Sequence, residues 1–146
     1  MPSENAQNFS NHARFVPAFH FFVLPILLIN IINRLVALRY GISYGSIFAV
    51  LLAVALLLLA FTARVFALTV QDRVIRLEMQ LRFARLLPAD LQGRADDFAV
   101  GQLVALRFAS DEELPVLTRQ VLDEKLTDRK EIKSRVKNWR ADFLRA

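Results

Sequence analysis

Residues 15–33 and 40–63 contain no Asp, Glu, Lys or Arg. These uncharged stretches, 19 and 24 residues long, constrain the chain more than any other feature. A helix of about 20 mostly apolar residues crosses the hydrocarbon core of a bilayer. The second stretch is the purer, since residues 47–61 are nearly all Ala, Val, Leu and Phe. The first carries Pro17, His20, Pro25, Asn30 and Asn33, and its most apolar part is residues 21–32. It reaches Leu38 if Arg34 snorkels to the interface. The competing reading is a buried core helix, which suits apolar runs of about 10–14 residues.

The intervening turn, residues 39–45, holds two Gly and two Tyr. Tyr suits a membrane–water interface because its ring is apolar and its hydroxyl is not. The expectation is a helical hairpin: a polar tail over 1–14, a first span over 15–38, the turn, and a second helix over 46–87. A cleaved signal peptide does not fit, because the first 14 residues are not strongly basic and no small-x-small site follows the first apolar run. Arg14, Arg64, Arg73 and Arg76 flank one side of the spans, and Arg34 and Arg39 the other. Positive residues stay in the cytoplasm, so both termini are expected there.

Gly45, Ala49 and Ala53 recur every four residues on the second span, a ridge that lets helices pack closely in lipid. The first span is the expected partner and a second copy the alternative. Past the span, Ala63, Ala67, Val70, Val74, Leu77, Leu81 and Ala84 alternate spacings of four and three. That is a heptad seam, with charges off it. One helix is therefore expected to continue as a stalk of about 60 Å until Pro88 ends it. Either the C-terminal segment folds back onto the seam or two stalks pair. The Ala positions weaken a free-standing coiled coil, which favours packing within the chain.

Residues 88–146 read as a helical cytosolic module. Residues 90–97 form a loop, and 98–108 a short apolar helix, with a strand as the weaker alternative. Ser110 and Glu113 have the spacing of a capping box, opening a helix that runs to about Leu126. Asp128 caps the last helix, whose Ile132, Val136, Trp139 and Phe143 form one apolar stripe. Lys130, Lys133, Lys137 and Arg140 lie beside it. Between residues 125 and 145 there are eight basic residues and three acids, which matches the net charge of +5 for the whole chain. The stripe reads as a solvated face with Trp139 in the core. Alternatively it meets the anionic inner leaflet, each cation adding about 1 kcal/mol. Nucleic acid is the weakest reading, because no recognition motif is present; an acidic protein partner is another.

The opening Gln7-Asn8-Phe9-Ser10-Asn11-His12-Ala13-Arg14-Phe15-Val16-Pro17-Ala18-Phe19-His20 is more specific than a membrane entry requires. With residues 103–114 and the ending around Lys137-Asn138-Trp139-Arg140, the chain resembles a family of small two-span bacterial membrane proteins of unknown function. The resemblance covers nearly the whole chain. It implies two membrane helices, a soluble C-terminal part and a bacterial cytoplasmic membrane, but no substrate or catalytic residue.

The chain has no Cys and only two His, His12 and His20. That excludes a disulfide framework and thiolate metal sites. An intramembrane His is a functional candidate, so His20 is the one residue considered for haem or proton relay; an interfacial, structural His is the blander reading. Asn30, Asn33 and Arg34 are expected to bond across to Ser43, Ser46 or backbone carbonyls in the turn. No catalytic triad, phosphate loop or metal spacing occurs, so no cofactor and no enzyme is expected. The leading expectation is an all-α, membrane-anchored interaction or scaffold subunit meeting a protein partner or a second copy. The alternatives are a ligand-binding or transport-associated component working through His20, and a lipid-surface organiser.

Overall fold

The computed structural model describes Phe9 and residues 16–142. The expected polar tail over 1–14, apart from Phe9, lies outside the described residues, as do His12, Arg14, Phe143 and Arg145. Among the described residues the chain is all-helical, with no strand beyond one isolated antiparallel bridge, Ala109 to Trp139. It forms two compact units that divide at Val70.

The first unit opens with a π-helical turn, Ala18–Val23, and continues as α1, Leu24–Ala37, ending in a 3-10 turn, Leu38–Tyr40. Pro25 accounts for the wide turn. It has no N–H, and its ring crowds the carbonyl four residues earlier. The turn before it relaxes to π geometry, with the Leu24 N–H donating to the Phe19 carbonyl. Gly41 then breaks the helix at φ 151°, a conformation that L side chains rarely adopt. Ser43 and Ser46 cap the next helix reciprocally: Ser43 N–H donates to Ser46 Oγ at 2.8 Å and Ser46 N–H to Ser43 Oγ at 3.1 Å. Neither serine bonds Asn30, Asn33 or Arg34, contrary to the expected cross-link, because each already has the other as its partner.

Helix α2, Tyr44–Leu86, is 43 residues long. It begins two residues before the expected start, because the serine cap lies further upstream. Pro88 follows its end. Both the 18–40 segment and α2 are long and apolar enough to cross a membrane.

The second unit is built on the last part of α2. Short helices follow: α3, Ala89–Gln92; α4, Val100–Leu106; α5, Leu114–Asp123; and α6, Arg129–Ser134. Phe83, Leu103, Leu106, Leu114, Val121 and Ile132 are fully buried in the core, with Met79 beside them. Phe83 meets Phe98 edge to face with centroids 5.5 Å apart. α5 ends in a Schellman motif: Leu126 N–H donates to Val121 O at 3.0 Å and Lys125 N–H to Leu122 O at 3.2 Å. Asp128 caps α6 as expected, accepting from the amides of Lys130 and Glu131.

Two sequence expectations are corrected here. The last helix does not run on to Phe143; it stops at Ser134, and residues 136–140 are non-helical, with a bend at 137–138 and an isolated bridge at Trp139. The amides of Lys137 and Asn138 donate to the Glu113 carboxylate at 2.9 and 3.0 Å. Arg140 N–H donates to Phe108 O at 2.7 Å, and Ser110 N–H to Asn138 O at 3.0 Å. Tertiary partners thus take the groups a longer helix would have paired. The expected capping box does not open α5, which starts at Leu114 with Glu113 as its N-cap: Ser110 Oγ accepts from Glu113 N–H at 3.2 Å in the turn before the helix, and the Glu113 side chain serves residues 137 and 138.

Candidate interaction surface

On α2 beyond Val70, the side chains that enter the core are Ile75, Met79 and Phe83, with Leu86 packed against them. They repeat every three or four residues and are the longer apolar chains of this stretch. The heptad seam lies elsewhere. At 100° per residue, Val70, Val74, Leu77 and Leu81 centre about 170° around the helix from that buried row. They are 59, 47, 61 and 74% exposed. The expectation that the C-terminal segment folds back onto the seam is therefore corrected: the module packs on the opposite face. The seam offers only two Val and two Leu here, whereas Ile75, Met79 and Phe83 fill more core space.

Arg82 fixes α2 to the module. It is buried and donates to Asp111 Oδ1 at 2.6 Å, Ala109 O at 3.0 Å and Arg107 O at 3.1 Å. Burial lowers the Arg82 pKa, while the hydrogen bond to Asp111 opposes that shift. Asp111 is held below its ordinary range, first by the hydrogen bond from Arg82 and further by the charges of Arg82, Arg140 and Arg85. Arg85 and Arg140 each lie 3.5 Å from the Asp111 carboxylate. A groove of about 720 Å³ runs along this side of α2, lined by Val74, Glu78, Leu81, Arg82, Arg107 and Arg140 among others. Arg107 pairs with Asp142 across it at 3.3 Å. The groove's guanidiniums therefore have carboxylates already beside them.

The sequence candidates fall in separate places. Lys130 and Lys133 are on α6, whereas Lys137, Trp139 and Arg140 are on the non-helical segment after it, so no single helical stripe forms. Lys133 Nζ sits 5.2 Å from the Phe108 ring centroid, and Arg140 faces Asp111. Lys130 and Lys137 are exposed. Trp139 packs against the core, its ring 4.9 Å from Phe108, and its Nε1 donates to Val136 O at 3.2 Å. In the other unit Ala53 is buried, Ala49 half-buried and Gly45 exposed. His20 lies in the π-helical turn, its Nδ1 2.9 Å from Val16 O and its ring edge-on to Phe19. No group of three His, Cys, Asp or Glu side chains suited to a metal occurs among the described residues.

Arg82, Asp111 and Glu113 were missed by the sequence reading, which took the two acids for cap residues. The signal that was available is the row Ile75, Met79 and Phe83. Its spacing of four matches one helix face, and Arg82 lies on that same face.

The features together define an all-helical protein with two helices long and apolar enough to cross a membrane. Over residues 3–146 the chain matches the model of a family of unknown function, DUF6526, and it belongs to that family. No curated protein and no solved structure matches it.

Proposed function

We propose that this chain is a non-enzymatic integral membrane protein of the bacterial cytoplasmic membrane. It crosses twice as a helical hairpin, with both termini cytoplasmic, and its 70–142 unit acts as an anchored interaction or scaffold subunit. The spanning role is supported by exposure. In the most apolar window of the 18–40 segment no residue is buried, and in that of α2 only 6% are. A core helix of a soluble protein would be covered, and a continuous apolar surface of this size needs lipid or a partner. Tyr40 and Tyr44, 89 and 88% exposed, bracket the turn as interface anchors do.

The observation that carries the interaction role is the exposed row Val70, Val74, Leu77 and Leu81, opposite the face that holds the module. Native mass spectrometry of the protein extracted gently from its own membrane tests it. The expected result is an assembly heavier than one chain that is lost in Leu77→Asp, with the variant still resistant to alkaline extraction. A bare wild-type monomer overturns the reading.

A further inference from the structure

We infer that the occupant of the exposed α2 row is a second copy of this chain, paired parallel and in register. This deepens the interaction reading above and rests on it. The row has the 4-3-4 spacing that two equal helices share when they supercoil. It spans about 16 Å from Val70 to Leu81.

The flanking charges select the partner and its direction. Arg73 precedes Val74 and Glu78 follows Leu77, so they occupy the two edges of the seam. In a parallel in-register pair, the residue on one edge faces the residue five positions later on the other helix. Arg73 of each copy then faces Glu78 of the other, twice per dimer. An antiparallel pair would instead set each edge against its own kind, Arg73 near Arg73 and Glu78 near Glu78. Two copies inserted the same way in one bilayer can only be parallel. Among the described residues neither Arg73 nor Glu78 has an ion-pair partner in its own chain. Four apolar side chains per copy make a small contact, but tethering both copies in one membrane raises their effective concentration. The core row that carries the module centres about 170° away around α2, and on its Glu78 edge the exposed row borders an open groove that Arg107, Arg140 and Asp142 also line.

The chain has no Cys, so a single introduced thiol reports one position. Leu77→Cys in native membranes under mild oxidation is expected to give a disulfide dimer, and Arg76→Cys, off the row, to give little. In the Leu77→Cys background, Arg73→Glu and Glu78→Arg each place like charges across the pair. Each is expected to cut the dimer yield about three- to tenfold, and the double exchange to restore it. Equal cross-linking at positions 76 and 77, or no rescue by the double exchange, overturns the proposal. If native mass spectrometry shows a different protein bound and lost in Leu77→Asp, the homodimer fails while the interaction reading stands. A bare monomer overturns both.

Discussion

Arg82 and Asp111, 29 residues apart in the chain, meet at 2.6 Å and join α2 to the loop before α5. The same guanidinium satisfies the carbonyls of Arg107 and Ala109. Arg82→Ala removes all three bonds and leaves two carbonyls and a carboxylate without their donor. Losing one member of a buried charged pair costs about 3–5 kcal/mol. Asp111 is half-exposed and keeps Arg85 and Arg140 nearby, so the expected loss is smaller, about 2–3 kcal/mol. Arg82→Lys keeps the charge but not the fork and should fall between. Denaturation of the purified chain, followed by the fluorescence of Trp139, its one tryptophan, measures both.

The same pair sets a pH dependence. Asp111 is held below its ordinary range in the folded chain, while the unfolded carboxylate titrates near its ordinary value of about 3.9. The unfolded state therefore takes up the proton first as the solution is acidified. The stability Asp111 contributes is fully present above about pH 4 to 5 and declines as pH falls through its folded pKa. Its exposure and salt screening keep the effect modest. Asp111→Asn should be less stable at neutral pH and lose less on acidification than the wild type. Equal acid sensitivity in the two proteins would refute the assignment.

These contacts also show which parts of the fold the sequence could convey. The two apolar helices were legible because length and lack of charge are local properties. The Asp128 cap was legible for the same reason. The end of the last helix was not, because Lys137 and Asn138 have no local reason to leave it; Glu113, 24 residues earlier, draws their amides away. The seam on α2 was legible as a pattern, but which face would meet the module depended on volume. Ile75, Met79 and Phe83 fill the core, and the row of Val70, Val74, Leu77 and Leu81 does not. The basic residues were read as one stripe only because the helix carrying them was drawn too long. His20 was legible as a polar residue in an apolar stretch, whereas the closeness of its Nδ1 to Val16 O depends on the backbone of the first turn.

Glu113 is the clamp on the bend at Lys137 and Asn138. Its carboxylate accepts from two consecutive amides, and bonds to an ionised acceptor are stronger than neutral ones. Glu113→Gln keeps the shape and one acceptor oxygen but removes the charge. Its expected cost is about 1–2 kcal/mol, with Glu113→Ala at the upper end. The effect should be local. Limited trypsin digestion is expected to cut after Lys137 and Arg140 several-fold faster in Glu113→Ala, with cleavage after Arg94 unchanged. Uniform acceleration at all three sites would mean that the whole module had loosened.

Lys125 holds the left-handed position that closes the Schellman motif of α5, at φ 52°. Its amide and that of Leu126 satisfy the carbonyls of Leu122 and Val121, and Leu126 and Val121 are both buried. The backbone is therefore committed there whatever side chain it carries. A non-glycine residue in the left-handed region costs about 1–2 kcal/mol, and glycine escapes that cost while losing more freedom on folding. Lys125→Gly is expected to stabilise the chain by about 0.5–1 kcal/mol, read as a rise in the melting temperature. Lys125→Val should do the reverse, because a β-branched side chain tolerates this backbone least. Removing the charge alone is separated by Lys125→Asn, since Asn also accepts the left-handed conformation. It should match or exceed the wild type. If both Gly and Asn lower the melting temperature, the side chain of Lys125 contributes more than its backbone strain costs.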